Sequence, residues 1–140
     1  MTAATTTSGT TGWTKAPAGV WAGRVLTGLF TAFMIFDCGI KLARMPIVEE
    51  TGRTLGLPAG SGFGIGVGEL ILLALYLFPR TSVLGAVLFT GLFGGTVAIH
   101  WAHGDPLAGF VLFGVYLGVM AWGGLWLRDP QLRSIFPLRR

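Results

Sequence analysis

The stretch "IFDCGIKLA", residues 35–43, ends a long apolar run and sets Asp37 and Lys41 four residues apart. On a helix that spacing puts both side chains on one face, where carboxyl and ammonium meet. Two more ionisable residues interrupt apolar sequence: Glu69, between "GIGVG" and "LILLALYLF", and His100, at the end of "TVAIH". Asp37 and Glu69 can act as general acid, proton carrier or nucleophile, and Lys41 and His100 can tune them or donate hydrogen bonds. Within a membrane span such groups are expensive, and they face a bundle interior or a wet cavity. A purely structural reading stands beside this one. In it Asp37 neutralises Lys41, Glu69 takes a hydroxyl or His100, and Lys41 reaches the interface along its aliphatic stem.

Other chemistries find less support. His100, His103 and Asp105, with Glu69, offer metal-ligating atoms, but two histidines at one helix end fall short of a closed ligand set, and no metal is expected. Met34 and Met120 read as packing rather than as haem ligands. Cys38 is the single cysteine, so an internal disulfide or a dithiol relay is excluded. There is no phosphate loop, no serine-centred elbow and no nucleic-acid pattern, and the basic balance reflects membrane orientation.

The elements that must position these residues follow from composition. Of 140 residues, 52% are hydrophobic and 11% charged, against roughly a quarter charged in soluble domains. Runs of about 20 apolar residues match the hydrocarbon layer as helices. Four such spans are predicted, at about 21–42, 62–78, 83–102 and 107–127, the second short and glycine-rich. The fold class is therefore all-α, a polytopic membrane protein with a four-transmembrane-helix bundle over 19–128. Residues 1–18 read as a disordered polar tail and 129–140 as a basic cytoplasmic tail against anionic headgroups. The loop between Pro46 and Pro58 has room for a short interfacial helix.

Four spans place both termini and the central loop on one side. Lys15, Arg24, Arg80, Arg128, Arg133, Arg139 and Arg140 fall there, against Lys41, Arg44 and Arg53 opposite. The positive-inside bias makes the first side cytoplasmic, in the cell membrane. At 1.5 Å per residue, Asp37, Lys41, Glu69 and His100 come to one height, in the outer half of the bilayer. Glu69 finds its best partners by depth in Lys41 and His100. The spacings Gly62/Gly66, Gly64/Gly68, Gly91/Gly95 and Gly114/Gly118 favour close backbone packing.

The segment "LGLPAGSGFGIGVGELILLALYLFPRTSVLGAVLFTGLFGGTVAIHWAHGDP" resembles the DoxX-like family of small four-helix membrane proteins. The resemblance rests on G-x-x-E-L, the "YLFPRTSVLGA" turn, "TGLFGG-x-x-A-x-H" before "GDP", and "W-G-x-L-W-L-R-D". It runs from about Trp21 to Leu138. It implies a single helical bundle, a link to thiol and quinone redox, and Lys41, Glu69 and His100 as family-like polar positions. Asp37 departs from the family pattern, where a small or weakly polar residue is more usual. The wider superfamily resembles sterol-isomerase and lipid-binding folds with acids inside the membrane.

The first expectation is thus an accessory membrane subunit that binds a quinone or other isoprenoid lipid. His100 and Lys41 would bond its carbonyls, and Glu69 and Asp37 would handle protons. The chain has no redox group of its own. The second is an acid–base enzyme of isomerase, cyclase or epoxide-hydrolase type, with Asp37 or Glu69 acting on an apolar substrate. The third is a non-catalytic scaffold. The partners expected are the lipid bilayer, a lipid-soluble small molecule, a redox partner protein and a second copy of the chain, and no nucleic acid.

Overall fold

The computed structural model describes residues 17–135. Nearly all of the polar tail expected over 1–18, and the end of the basic tail, lie outside the described residues. Among the described residues the chain is helical without strands. Helix α1 is Ala18–Leu42, α2 is Pro46–Thr54, α3 is Ser61–Leu77 and α4 is Ser82–His103. A single π-helical turn, Leu107–Val111, leads into α5, Phe113–Arg128, and α6 is Pro130–Ile135. The loop helix foreseen between the prolines is α2, with Pro46 in its first turn, where a missing N–H costs nothing.

The four long helices form a ring: α1 packs on α3 and α5, and α4 packs on α3 and α5. Three of the four membrane segments, Ala18–Leu42, Ser82–His103 and Leu107–Arg128, are long and apolar enough to cross a bilayer. The fourth, α3, is apolar over 17 residues, about 25 Å of helix at 1.5 Å per residue. It lies between α1 and α4 and completes the four-helix bundle. The outer surface carries Leu29, Ile35, Phe36, Ile71 and Val119, each more than half exposed. So large an apolar exterior belongs against acyl chains.

One half of the bundle is solid. Phe30 meets Tyr76 and Phe89 edge-to-face, with ring centroids 5.1 and 5.3 Å apart, an arrangement that aligns ring edges with ring faces. Tyr76 donates its hydroxyl proton to the Ala121 carbonyl at 2.8 Å, which satisfies the one polar atom of that buried ring. Glycines allow the approach. A Cβ at Gly85 would lie 2.5 Å from the Tyr76 nitrogen, and one at Gly23 would lie 2.8 Å from Leu127 Cβ. At the chain's end Asp129 Oδ1 accepts from the Gln131 and Leu132 amides at 2.9 and 3.2 Å, a capping contact. Leu132 is thereby buried against the core, so part of the basic tail is anchored to protein.

The spacing of glycines is only partly a guide to packing. Gly62 and Gly66 do sit at close contacts, and Gly114 lies against Phe93, but a Cβ at Gly64, Gly68, Gly91 or Gly95 would meet nothing within 4 Å. The crossing of α1 and α5 is instead made by Gly23 and Gly124, where a Cβ on Gly124 would lie 2.6 Å from Thr27 Oγ1.

Candidate functional site

The other half of the bundle is hollow. Toward the α2 end the four helices surround a cavity of about 570 Å³, with α2 and the segment after it across its mouth. Its walls are mainly apolar, with Phe33, Ile65, Leu92 and Phe113 among them, and Asp37, Lys41, Glu69 and His100 also face it. Gly91 and Gly95 border it with no atom within 4 Å of a hypothetical Cβ. Both are exposed at the cavity's rim, and they do not bring backbones together as expected.

The ionic wall comes from α1 and α3. Asp37 and Lys41 share a face of α1, and Lys41 Nζ lies 2.6 Å from Asp37 Oδ2. The same ammonium lies 2.5 Å from Glu69 Oε1 on α3. Gly66, one turn before Glu69, makes this possible: a Cβ there would come within 2.8 Å of Lys41 Cβ. With hydrogen in its place the two backbones approach closely and a glutamate reaches the lysine. The Glu69 side chain is 5% exposed, against 19% and 23% for Lys41 and Asp37. Glu69 is thus the enclosed end of the trio, and its second oxygen, Oε2, stands 4.0 Å from Cys38 Sγ. Burying one charge unpaired is prohibitive, whereas a bridging ammonium makes the burial tolerable.

His100 belongs to a second cluster. The expectation that it pairs with Glu69 is corrected: His100 Nδ1 lies 2.5 Å from Asp105 Oδ2, and His103 Nδ1 lies 2.9 Å from Asp105 Oδ1. The cause is the end of α4. Gly104 adopts φ 82, and the Asp105 amide returns to the His100 carbonyl at 3.1 Å. This is the left-handed helix stop that glycine permits, and it folds Asp105 back over both imidazoles. Because a carboxylate only accepts, both Nδ1 atoms carry the proton and each Nε2 is an acceptor. The His100 hydrogen bond, and then that of His103, hold the Asp105 carboxyl below its usual range. Asp105 lies outside the spans and entered the sequence reading only as a metal ligand. Among the described residues no group of three or more His, Cys, Asp or Glu side chains is arranged to hold a metal ion.

Asp37, Lys41 and Glu69 are therefore joined directly, and His100 shares their cavity on the α4 side, its ring 5.8 Å from that of Phe110. Helix α2 and the segment after it are secured at both ends. Arg44, in a left-handed conformation at φ 52, turns the chain from α1 into α2, and its guanidinium lies 4.7 Å over the Phe63 ring. Glu49 Oε2 accepts the Gly60 amide at 3.2 Å. Val48 packs where Gly62 lacks a side chain, 2.6 Å from a hypothetical Cβ. Sequence reasoning foresaw the ionisable layer and a cavity for it to face, but not how a loop helix folds across the bundle's end.

Residues 25–124 match the family model described as the DoxX-like family. No curated protein and no solved structure matches the chain. The match covers well over half of the sequence, and the chain belongs to the DoxX-like family.

Proposed function

We propose that this DoxX-like membrane protein binds a lipid-soluble molecule of the quinone or isoprenoid class in its cavity, as the membrane subunit of a thiol- or quinone-linked redox assembly. One observation carries the reading: an apolar cavity of about 570 Å³ with the Asp37–Lys41–Glu69 cluster on one wall and His100 on another. Small-molecule sites commonly span ~300–1,000 Å³, mostly apolar with a few convergent polar groups. A quinone ring fits these groups, since Lys41 Nζ can donate to a carbonyl oxygen, His100 Nε2 can accept from a hydroxyl of the reduced ring, and the apolar walls take the tail. Glu69 and Asp37 can hold or release a proton beside the head group.

A bound quinone would bring the redox chemistry, and this chain would bind it, orient it and keep water from it. Electrons would come from a partner protein or a diffusible thiol, because Cys38 is the chain's single cysteine. The positive-inside distribution further supports cytoplasmic termini, which puts the cavity in the outer leaflet.

The lysine bridging two carboxyls also favours a second reading, acid–base catalysis on an apolar substrate such as an isoprenoid olefin or epoxide. The first reading predicts a copurifying quinone or isoprenoid by mass spectrometry of extracts from protein in nanodiscs. It also predicts saturable quenching of tryptophan fluorescence by decyl-ubiquinone. Gly95→Leu, which adds bulk where the structure has room, should remove both signals. Chemical conversion of a copurified isoprenoid by the protein alone would select the second reading. Extracts free of such lipids, with quenching that never saturates, would overturn both.

A further inference from the structure

We propose that the cavity selects an uncharged head group bearing a carbonyl or hydroxyl oxygen, and rejects lipid carboxylates and phosphates. This inference rests on the reading of the cavity as a ligand site and adds the charge class of the ligand.

The charged residues facing the cavity are Asp37, Lys41 and Glu69. They comprise two acids and one base, so the cluster has no positive charge to spare. Lys41 Nζ already holds Asp37 Oδ2 at 2.6 Å and Glu69 Oε1 at 2.5 Å. An ammonium has three N–H groups, and the third is bonded to no other group among the described residues. It can donate to one oxygen from a ligand.

Two arginines lie near the mouth but do not line the cavity, and Arg53 borders a separate small pocket beside α2. The Arg44 guanidinium lies over the Phe63 ring. His100 and His103 both donate from Nδ1 to the one Asp105 carboxylate, so with neutral rings this cluster carries net negative charge. A carboxylate or phosphate entering from the lipid would lose its hydration, meet an excess of acid, and gain one already neutralised donor. A carbonyl or hydroxyl oxygen loses far less on leaving water and accepts the same N–H. A lipophilic cation would have to displace Lys41 from its carboxylates, and it has no use for that donor.

The test is a series of probes with similar tails and different heads, added to protein in zwitterionic nanodiscs at a pH where laurate is ionised. Decyl-ubiquinone and dodecanol represent neutral heads, laurate and dodecyl phosphate anions, and dodecyltrimethylammonium a cation. The specific signal is the saturable part that Gly95→Leu abolishes. The neutral probes should bind, with both anions at least about tenfold weaker. Glu69→Gln, checked for an unchanged thermal unfolding profile, should narrow the gap by removing the excess acid. Anions binding as tightly as the neutral probes would overturn the proposal, as would dodecyltrimethylammonium binding best. If no probe of any charge gives a saturable signal, the cavity reading itself fails, an outcome distinct from a wrong charge preference.

Discussion

Gly66→Ala isolates the contact on which the ionic wall depends. The added Cβ would start 2.8 Å from Lys41 Cβ, whereas carbon atoms settle at about 3.5–4.0 Å. Helices α1 and α3 must then part by roughly 0.7–1.2 Å at this height to restore a normal contact. The Lys41–Glu69 separation is 2.5 Å; opened by the same amount, it passes ~3.2 Å, the outer edge of a good N–H···O bond. Overpacking of this kind costs about 1–3 kcal/mol. Gly64 and Gly68 on the same helix have nothing within 4 Å of a Cβ, so alanine there should be neutral. Equilibrium unfolding in bicelles, with decyl-ubiquinone quenching on the same samples, compares the three variants. Gly66→Ala should lose both stability and probe binding while the other two keep them. Equal behaviour of all three would refute the claim that this close approach brings Glu69 to Lys41.

Three further outcomes follow from the geometry. Lys41→Met leaves two carboxyls facing each other without their ammonium and should cost about 3–5 kcal/mol; adding Glu69→Gln should recover part of that loss in the same unfolding assay. Tyr76→Phe removes the bond to the Ala121 carbonyl and should cost about 0.5–2 kcal/mol, read by the same unfolding assay, with probe binding intact. The Asp105 carboxyl is held below its usual range, so its stabilising contribution is present above the ordinary aspartate range and is lost as pH falls through the folded value, below about pH 4. Thermal unfolding of Asp105→Asn should therefore approach that of the parent protein at the acid end and fall below it near neutrality.

Much of this arrangement was legible in the sequence because it depends on local rules. Spacing of four joins Asp37 to Lys41, and counting residues from the helix ends brings Glu69 to the same height. Three features were not legible. The His100–Asp105 contact requires the left-handed turn at Gly104, which reverses the chain over one short step and cannot be seen in depth alone. A cavity beside the charged layer was expected, but its closure requires α2 to lie across the bundle, placed by Arg44, Glu49 and Val48 through contacts distant in sequence. The glycines mislead for a related reason: a spacing of four defines a helix face but not what stands opposite. Gly66 meets Lys41, whereas Gly91 and Gly95 meet empty space.

Photolabelling tests the central claim most directly. A decyl-ubiquinone analogue carrying a diazirine on its ring, irradiated with the protein in nanodiscs and mapped by peptide mass spectrometry, should mark the inner faces of α1, α3 and α4 around Lys41, Ile65 and Thr96. Excess decyl-ubiquinone and Gly95→Leu should each suppress those marks. Labels confined to the outer surface, at residues such as Leu29, Ile71 and Val119, and indifferent to both controls, would contradict the account.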